Sequence, residues 1–484
     1  MRAVRTKVLM AVATAAAATG GLVVPLAGTA AAAPAPAAKA AADFNGDGYG
    51  DVVLATPDAT VNGVKKAGHV AVLYGSADGV AGGRKQLVSQ ASAKVPGVPE
   101  ERDRFGAAYD TGDMDGDGYA DLVVGVSGEN EQRGLMTVLW GGRGGLVHGG
   151  LSMTSLRTDD VHYGGSLVVG DFDGDGKQQL ATRSYWGAVS LSGDGFTRTR
   201  APKQQRLSLH ADDTFPVIER LEAGDYDGDG DDDLIASGIA NMEADEPGAR
   251  LFYWRGGRTG VTFTRPSAVL PETVVGIEGS GDVDKDGYED LVITDRSTAK
   301  GGQVGVYYGG GRGPGSGGGT VLDQDSPGVP DEGEDGDEFG TSASVGDVDG
   351  DGYADVAVGA PGEDVDGRSA TGAVHLLKGS AAGLTGTGAQ VLDQGTAGVP
   401  GAAEDDDRFG SAVQVRDTDG DGRAEVVVAA SGEDVFPGAR WNDGSAWVLR
   451  GAAGGVTTAG AYSLSEKAFG LTYQNKRFGS VLGR

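Results

Sequence analysis

The chain has 484 residues, including 88 glycines and no cysteine, and a formal net charge of −30. The lack of cysteine excludes a disulfide framework and a thiolate metal site. So acidic a chain also excludes, as expected partners, nucleic acid and anionic membrane surfaces. The glycine-rich composition is typical of a turn-rich protein and not of a helical bundle.

The first 33 residues predict a secretory signal. Three basic residues within the first seven positions precede an apolar run from Val8 to Ala18, and small residues from Gly28 to Ala33 offer cleavage sites. We expect a signal peptide over residues 1–33, an Ala/Pro-rich tail over 34–42, and a secreted protein without membrane insertion after cleavage. A retained N-terminal anchor is the alternative, which Pro25 and the many alanines and glycines disfavour.

A short acidic motif then recurs seven times, with copies that begin 54 to 70 residues apart. Positions 1, 3, 5 and 9 of each copy carry a carboxylate or an amide, and position 6 is glycine. Six copies are complete: Asp43, Asn45, Asp47 and Asp51; Asp113, Asp115, Asp117 and Asp121; Asp225, Asp227, Asp229 and Asp233; Asp282, Asp284, Asp286 and Asp290; Asp347, Asp349, Asp351 and Asp355; Asp417, Asp419, Asp421 and Glu425. The third copy has Asp171, Asp173 and Asp175 but Gln179 at position 9.

The repeat length predicts one supersecondary unit per copy. Short Val/Leu-rich runs bounded by Gly, Asp and Ser surround each motif, and no helical period is long enough to cross over a parallel sheet. Four antiparallel strands in each of seven units predict an all-β fold, a seven-bladed β-propeller over residues 43–484. An array of β-sandwiches is the alternative, for which about 60 residues is a short repeat.

The two ends of the chain predict how the ring closes. Most acidic motifs follow a Phe-Gly or Tyr-Gly strand by about eight residues, but the motif at Asp43 has no such strand before it. The last Phe-Gly strand, from Phe478 to Leu482, has no acidic motif after it. We expect this C-terminal strand to complete the first blade and to remove two open sheet edges.

The acidic motifs predict calcium loops, up to seven ions with one in each blade. Carboxylate and amide oxygens at positions 1, 3, 5 and 9, a backbone carbonyl at position 7 and a turn glycine at position 6 form a hard-oxygen ligand set. An EF-hand requires an acid at position 12 and a following helix. Here position 12 is Leu54 in the first copy and Val358 in the sixth, and strands follow, which indicates a hairpin loop.

The segment "FGTSASVGDVDGDGYADVAVGAPGE" resembles the FG-GAP repeat of integrin alpha subunits and of secreted bacterial integrin-like proteins. Phe339-Gly340, the acidic loop and Gly359-Ala360-Pro361 carry the resemblance. It implies a seven-bladed propeller with calcium on one face and ligand contacts on the opposite face. Acidic connections such as "KVPGVPEERDRFG", and Phe436 and Trp441 in another connection, are candidate contacts; solvated connections without a specific role are the alternative.

The function that these patterns predict is adhesion or ligand binding by a monomer, with an unknown extracellular protein or glycan as partner. A calcium-dependent lectin is the first alternative, and a polysaccharide lyase or hydrolase on a propeller scaffold is the second. None of the five histidines stands in a recognised catalytic motif. We therefore expect a protein that is not an enzyme.

Overall fold

A computed structural model describes residues 42–80, 83–146, 149–185, 188–207, 217–240, 248–264, 276–296, 298, 300–436, 442–471 and 477–483. These residues belong to one compact unit, Lys39–Arg484. The predicted signal peptide over 1–33 and the side chain of Trp441 lie outside the described residues, so both remain predictions.

Seven four-stranded antiparallel sheets account for the strands of the described residues. We number the strands β1 to β28 in chain order. Blades 1 to 3 contain β1 Val52–Thr56, β2 His69–Leu73, β3 Lys85–Val88; β4 Phe105–Gly112, β5 Asp121–Val126, β6 Leu135–Leu139, β7 Gly150–Met153; β8 Leu167–Gly170, β9 Gln179–Ser184, β10 Ala188–Ser192 and β11 Gln204–Arg206. Blades 4 and 5 contain β12 Val217–Gly224, β13 Asp233–Ala240, β14 Gly248–Arg255, β15 Thr262–Thr264; β16 Gly276–Gly281, β17 Asp290–Asp295, β18 Gln303–Tyr307 and β19 Gly319–Leu322.

The last two blades and the closing strand complete the ring. They contain β20 Ser342–Gly346, β21 Asp355–Ala360, β22 Ala373–Lys378, β23 Thr385–Leu392; β24 Phe409–Arg416, β25 Glu425–Ala430, β26 Ser445–Ala452, β27 Gly455–Leu464; and β28 Val481–Leu482, the fourth strand of blade 1. Among the described residues, Glu129–Gln132 forms a short turn in which Asn130 and Glu131 have positive φ, and Glu466–Phe469 forms a 3-10 turn. The seven-bladed propeller predicted from the sequence is confirmed.

The strand that follows each acidic motif lies in the interior of its blade. Strand β5 (DLVVGV), β21 (DVAVGA) and β25 (EVVVAA) are buried at every position. A continuous apolar run of this length, rich in valine, is typical of a strand covered on both faces. Burial against the two neighbouring blades therefore explains why these segments lack the alternating pattern of a half-exposed strand.

The first strand of each blade lies next to the first strand of the following blade, around a central channel. Strand β28 occupies this inner place in blade 1, where Leu482 pairs with Leu54 and Val481 with Ala55. Phe478 is fully buried just before β28. The predicted closure of the first blade by the C-terminal strand is confirmed, and it satisfies an edge that β1 would otherwise leave unpaired.

The Phe-Gly element wedges one blade against the next. Phe105, Phe339 and Phe409 have no exposed surface. The glycine that follows turns with a positive φ, +90° at Gly410, where a Cβ atom would lie 2.3 Å from the carbonyl oxygen of Ala373. Only glycine allows the two backbones to approach so closely.

Candidate metal centres

In blades 2 to 7 each acidic motif connects the inner strand to the second strand, and in blade 1 it leads into β1, the second strand of that blade. We name these segments loops 1 to 7. They span residues 43–51, 113–121, 171–179, 225–233, 282–290, 347–355 and 417–425. Because strands alternate in direction within every blade, all seven loops lie on the same face of the ring. The connections between blades lie on the opposite face.

The loops share one backbone conformation. In every loop the N–H of the position-6 glycine donates to Oδ2 of the position-1 aspartate, at 2.8–3.1 Å. In every loop the N–H of position 7 also donates to Oδ1 of position 5. The position-6 glycine has a positive φ, +94° at Gly48, which a turn of this kind requires. Aspartates at positions 1 and 5 thus shape the turn as well as supplying oxygens.

The position-9 side chain links the loop to the blade. Asp51 accepts hydrogen bonds from the N–H of Phe44 at 2.9 Å and of Gly75 at 2.9 Å, and it is 1% exposed. Asp290 repeats this arrangement with Val283 at 2.9 Å and Gly309 at 2.8 Å. The position-9 residue therefore ties together the loop, the second strand and the end of the third strand.

Burial makes these carboxylates poor anions in the absence of a cation. Loss of water raises the pKa of the position-9 carboxyls to about 7 for Asp51, Asp121, Asp233, Asp290 and Glu425, and to about 6 for Asp355. Backbone hydrogen bonds oppose this rise, and neighbouring loop aspartates add to it in each case. A cation between the carboxylates would relieve both the burial and the like-charge repulsion.

The oxygens of the loops are close enough to share an ion. In at least five loops, three aspartates offer carboxylate oxygens that all lie within 4.8 Å of one another, for example Asp282, Asp284 and Asp290. Buried oxygens of the position-3 residues Asp115 and Asp227 have no hydrogen-bond partner among the described residues. An all-oxygen set of this kind fits calcium, which takes carboxylate and carbonyl ligands in flexible geometry.

Basic side chains reach several of these loops, which the motif did not predict. Lys378 contacts Asp349 and Asp355 in loop 6, Arg255 contacts Asp227 and Asp229 in loop 4, and Arg450 contacts Asp419 in loop 7. In loop 2, Arg198 of the next blade pairs with Asp115 at 2.9 Å and with Asp117 at 2.6 Å.

Loop 3 departs from the others at position 9. The amide nitrogen of Gln179 donates to Asp173 Oδ1 at 2.9 Å, and Lys177 pairs with Asp175 at 2.5 Å. The side chain at position 9 therefore turns a donor toward the position-3 carboxylate. Loop 3 thus offers a cation no carboxylate at position 9, unlike the other loops.

Several acidic residues of the connections on the opposite face accept hydrogen bonds from other residues of the protein. Gln90, Gln324 and Gln394 each donate to a glutamate 39 residues later, Glu129, Glu363 and Glu433, at 2.7–2.8 Å. Asp103, Asp337 and Asp407 each accept a backbone N–H three residues earlier in the chain. A repeated structural role therefore accounts for several of the acids that were candidate ligand contacts.

Seven four-stranded blades in a ring, with acidic loops on one face, define a β-propeller. The FG-GAP repeat family matches residues 37–73, 105–144, 339–377 and 409–449, which lie in blades 1, 2, 6 and 7. Four blades thus carry segments that match the FG-GAP repeat, and the matched ranges cover less than half of the chain. Blades 3 to 5 share the architecture without matching the family profile.

Two kinds of relative resemble parts of this chain. Phosphatidylinositol-glycan-specific phospholipase D of Rattus norvegicus is 31% identical over 150 residues, 30% of this chain and 18% of that protein. Integrin alpha-IIb of Homo sapiens is 29% identical over 279 residues, 50% of this chain and 25% of that protein. The chain thus matches only a minor part of each relative. The solved Dos1 propeller covers 79% of this chain with a TM-score of 0.42 and 10% identity.

The prediction that the protein is not an enzyme is wrong in the light of these relatives. Four of them, from rat, mouse, cattle and human, are phospholipase D enzymes by name, at 29–31% identity. The prediction relied on missing catalytic motifs, but a fold does not fix a function.

Within the described residues, no helix combines the length and hydrophobicity needed to cross a membrane.

Proposed function

We propose that this protein is a secreted, calcium-binding propeller that binds an extracellular protein or glycan through the face opposite its acidic loops. The observation that carries the proposal is the sevenfold recurrence of one loop conformation with buried position-9 side chains on a single face. Calcium would be held by oxygens of positions 1, 3, 5 and 9 and would neutralise them, which makes the ring rigid. Rigid blades would then present the longer connections to a ligand.

Thermal unfolding with and without calcium tests the metal part of the proposal. Purified protein is dialysed against a chelator and melted in chelator, in millimolar calcium and in millimolar magnesium. Calcium should raise Tm, and magnesium should raise it less because it prefers a tighter octahedral site. Identical melting curves in chelator and calcium would refute the calcium part.

The ligand part rests on the integrin relative and on the acidic connections. Immobilised arrays of glycans and of extracellular matrix proteins, probed in calcium and in chelator, distinguish a lectin from a protein-binding adhesin. Binding to neither array would count against both roles. Detection of the mature chain in culture medium, with an N-terminus near residue 34, tests secretion.

Binding by the propeller does not exclude catalysis by the same chain. The rat relative is named for action on phosphatidylinositol-glycan, and the shared part is 18% of its length. Release of a phosphatidylinositol-glycan-anchored reporter by the purified chain, measured in calcium, tests whether that activity extends to this protein.

A further inference from the structure

The loops differ in the side chain that faces them from the third strand of the same blade. When the antiparallel register of the second and third strands is continued by one residue, a residue at the end of the third strand lies opposite position 9, and we call it the facing residue. It is Tyr74, Trp140, Arg255, Tyr308, Lys378 and Arg450 in blades 1, 2, 4, 5, 6 and 7. Blades 4, 6 and 7 thus carry a permanent cation at a place where blades 1, 2 and 5 carry an aromatic ring.

The cation in blade 6 lies between two of the proposed metal ligands. The ammonium nitrogen of Lys378 is 2.5 Å from Asp349 Oδ2 and 2.7 Å from Asp355 Oδ2, which are the position-3 and position-9 carboxylates. The side chain of Lys378 is 11% exposed, and those of Asp349 and Asp355 are 10% and 0% exposed. An ammonium group enclosed in this way has little room to move aside for a second cation.

Blades 4 and 7 repeat the arrangement with arginine. Arg255 pairs with Asp227 at position 3 and, at 2.9 Å, with Asp229 at position 5. Arg450 pairs with Asp419 at position 3. The position-3 carboxylates are 1% and 6% exposed, whereas the arginines are 46% and 38% exposed. All three basic facing residues therefore engage the position-3 carboxylate.

The tyrosine facing residues are used differently. Tyr308 OH accepts the N–H of Leu384 in the next blade at 2.8 Å, and Tyr74 OH accepts the N–H of Leu146 at 2.8 Å. These hydroxyls join neighbouring blades by hydrogen bonds. Among the described residues, no lysine or arginine forms an ion pair with the carboxylates of loops 1 and 5.

We propose that Lys378, Arg255 and Arg450 replace the metal ion in loops 6, 4 and 7, so that the chain binds at most four calcium ions. The inference rests on the calcium-binding function proposed above and differs from the expectation of one ion in each blade. A single motif thus serves two purposes. Some loops are closed by a bound ion and others by a side chain of the same blade, because a buried group of carboxylates requires a compensating charge of either kind.

The number of calcium ions bound per chain, measured for wild type and for Lys378→Met, tests the inference. Metal-free proteins are dialysed to equilibrium against radioactive calcium, and the ions bound per chain are counted at saturation. Lys300→Met is the matched control, since it removes an exposed lysine paired with Asp325 and changes the net charge equally. Wild type and control should bind four ions or fewer, and Lys378→Met should bind one more. Arg450→Met, which alters a more exposed side chain, serves the same purpose if Lys378→Met does not fold.

The outcomes separate this inference from the proposed function. More than four ions on wild type, or no additional ion on either variant, would overturn the substitution by basic residues. More than four ions would leave the calcium function intact. No ion on wild type but one on Lys378→Met would support the substitution and refute the calcium function. No ion on any of the proteins would refute both.

Discussion

Blades 5 and 6 are neighbours with the same loop ligands and different facing residues. Loop 5 contains Asp282, Asp284, Asp286 and Asp290, and loop 6 contains Asp347, Asp349, Asp351 and Asp355. Across from position 9, blade 5 has Tyr308 and blade 6 has Lys378. The comparison teaches that a complete acidic motif does not determine whether a loop depends on metal. On the proposal above, the charge opposite the loop decides between these two blades.

The largest expected effect comes from replacing the position-3 aspartate of loop 5 or loop 6 by asparagine and measuring stability in the absence of calcium. Asp349→Asn would leave the buried Lys378 ammonium short of one partner, so we expect a loss of roughly 3 kcal/mol of unfolding free energy. Asp284→Asn, its counterpart in loop 5, removes a like charge and should be neutral or stabilising in chelator. Urea unfolding of both variants in chelator measures the difference. Equal losses in the two variants would show that Lys378 is not the partner on which loop 6 depends.

A second contrast uses calcium itself. Asp290→Asn should abolish the ion in loop 5 and with it about 2.7 kcal/mol of stabilisation when calcium is 100-fold above its Kd. Asp355→Asn in loop 6 should cost the same amount in calcium and in chelator, because no ion is lost there. The measurement is the difference in unfolding free energy between the two solutions for each variant. A calcium-dependent loss in Asp355→Asn would place an ion in loop 6.

The repeat made the ring and the loops predictable from sequence. Seven copies at blade spacing, and a Phe-Gly strand without a loop at the end of the chain, were sufficient to predict the propeller and its closure by β28. The facing residues could not be predicted in the same way. Lys378 lies 23 residues after Asp355, and only the register of β21 and β22 shows that the two are opposite. Similarity to the family profile does not separate the two kinds of loop either, since blade 6 matches it and blade 5 does not.

Blade 6 also buries a histidine that blade 5 lacks. His375 lies opposite Val358, at the strand position that Gly305 occupies in blade 5, and its ring packs against Phe339 with centroids 5.2 Å apart. Burial lowers the pKa of His375 from 6.5 to about 4. Between these values the unfolded chain binds a proton that the folded chain does not. The contribution of His375 to the unfolding free energy is therefore fully present above pH 6.5 and is lost as the pH drops toward 4.

Replacing this histidine should reduce the acid sensitivity of the protein. His375→Leu removes the titrating group, so unfolding free energy should fall by roughly 2 kcal/mol less between pH 7 and pH 5 than in wild type. Urea unfolding at both pH values, in the same calcium concentration, provides the comparison. Equal acid losses in the two proteins would mean that His375 does not contribute to the pH dependence and that blade 6 differs from blade 5 only at the loop.

The smallest expected effect concerns the tyrosine that faces loop 5. Tyr308→Phe removes a hydroxyl that accepts the N–H of Leu384 and donates to Thr320 at 2.9 Å, so about 1 kcal/mol should be lost. The number of bound calcium ions should not change, because this hydroxyl bonds to Leu384 and Thr320 and not to a loop carboxylate. Tyr307→Phe is the control, as no hydrogen bond of its hydroxyl is found among the described residues. If Tyr308→Phe instead lost an ion, the facing position would help to bind metal in blade 5, and the two blades would differ in degree and not in kind.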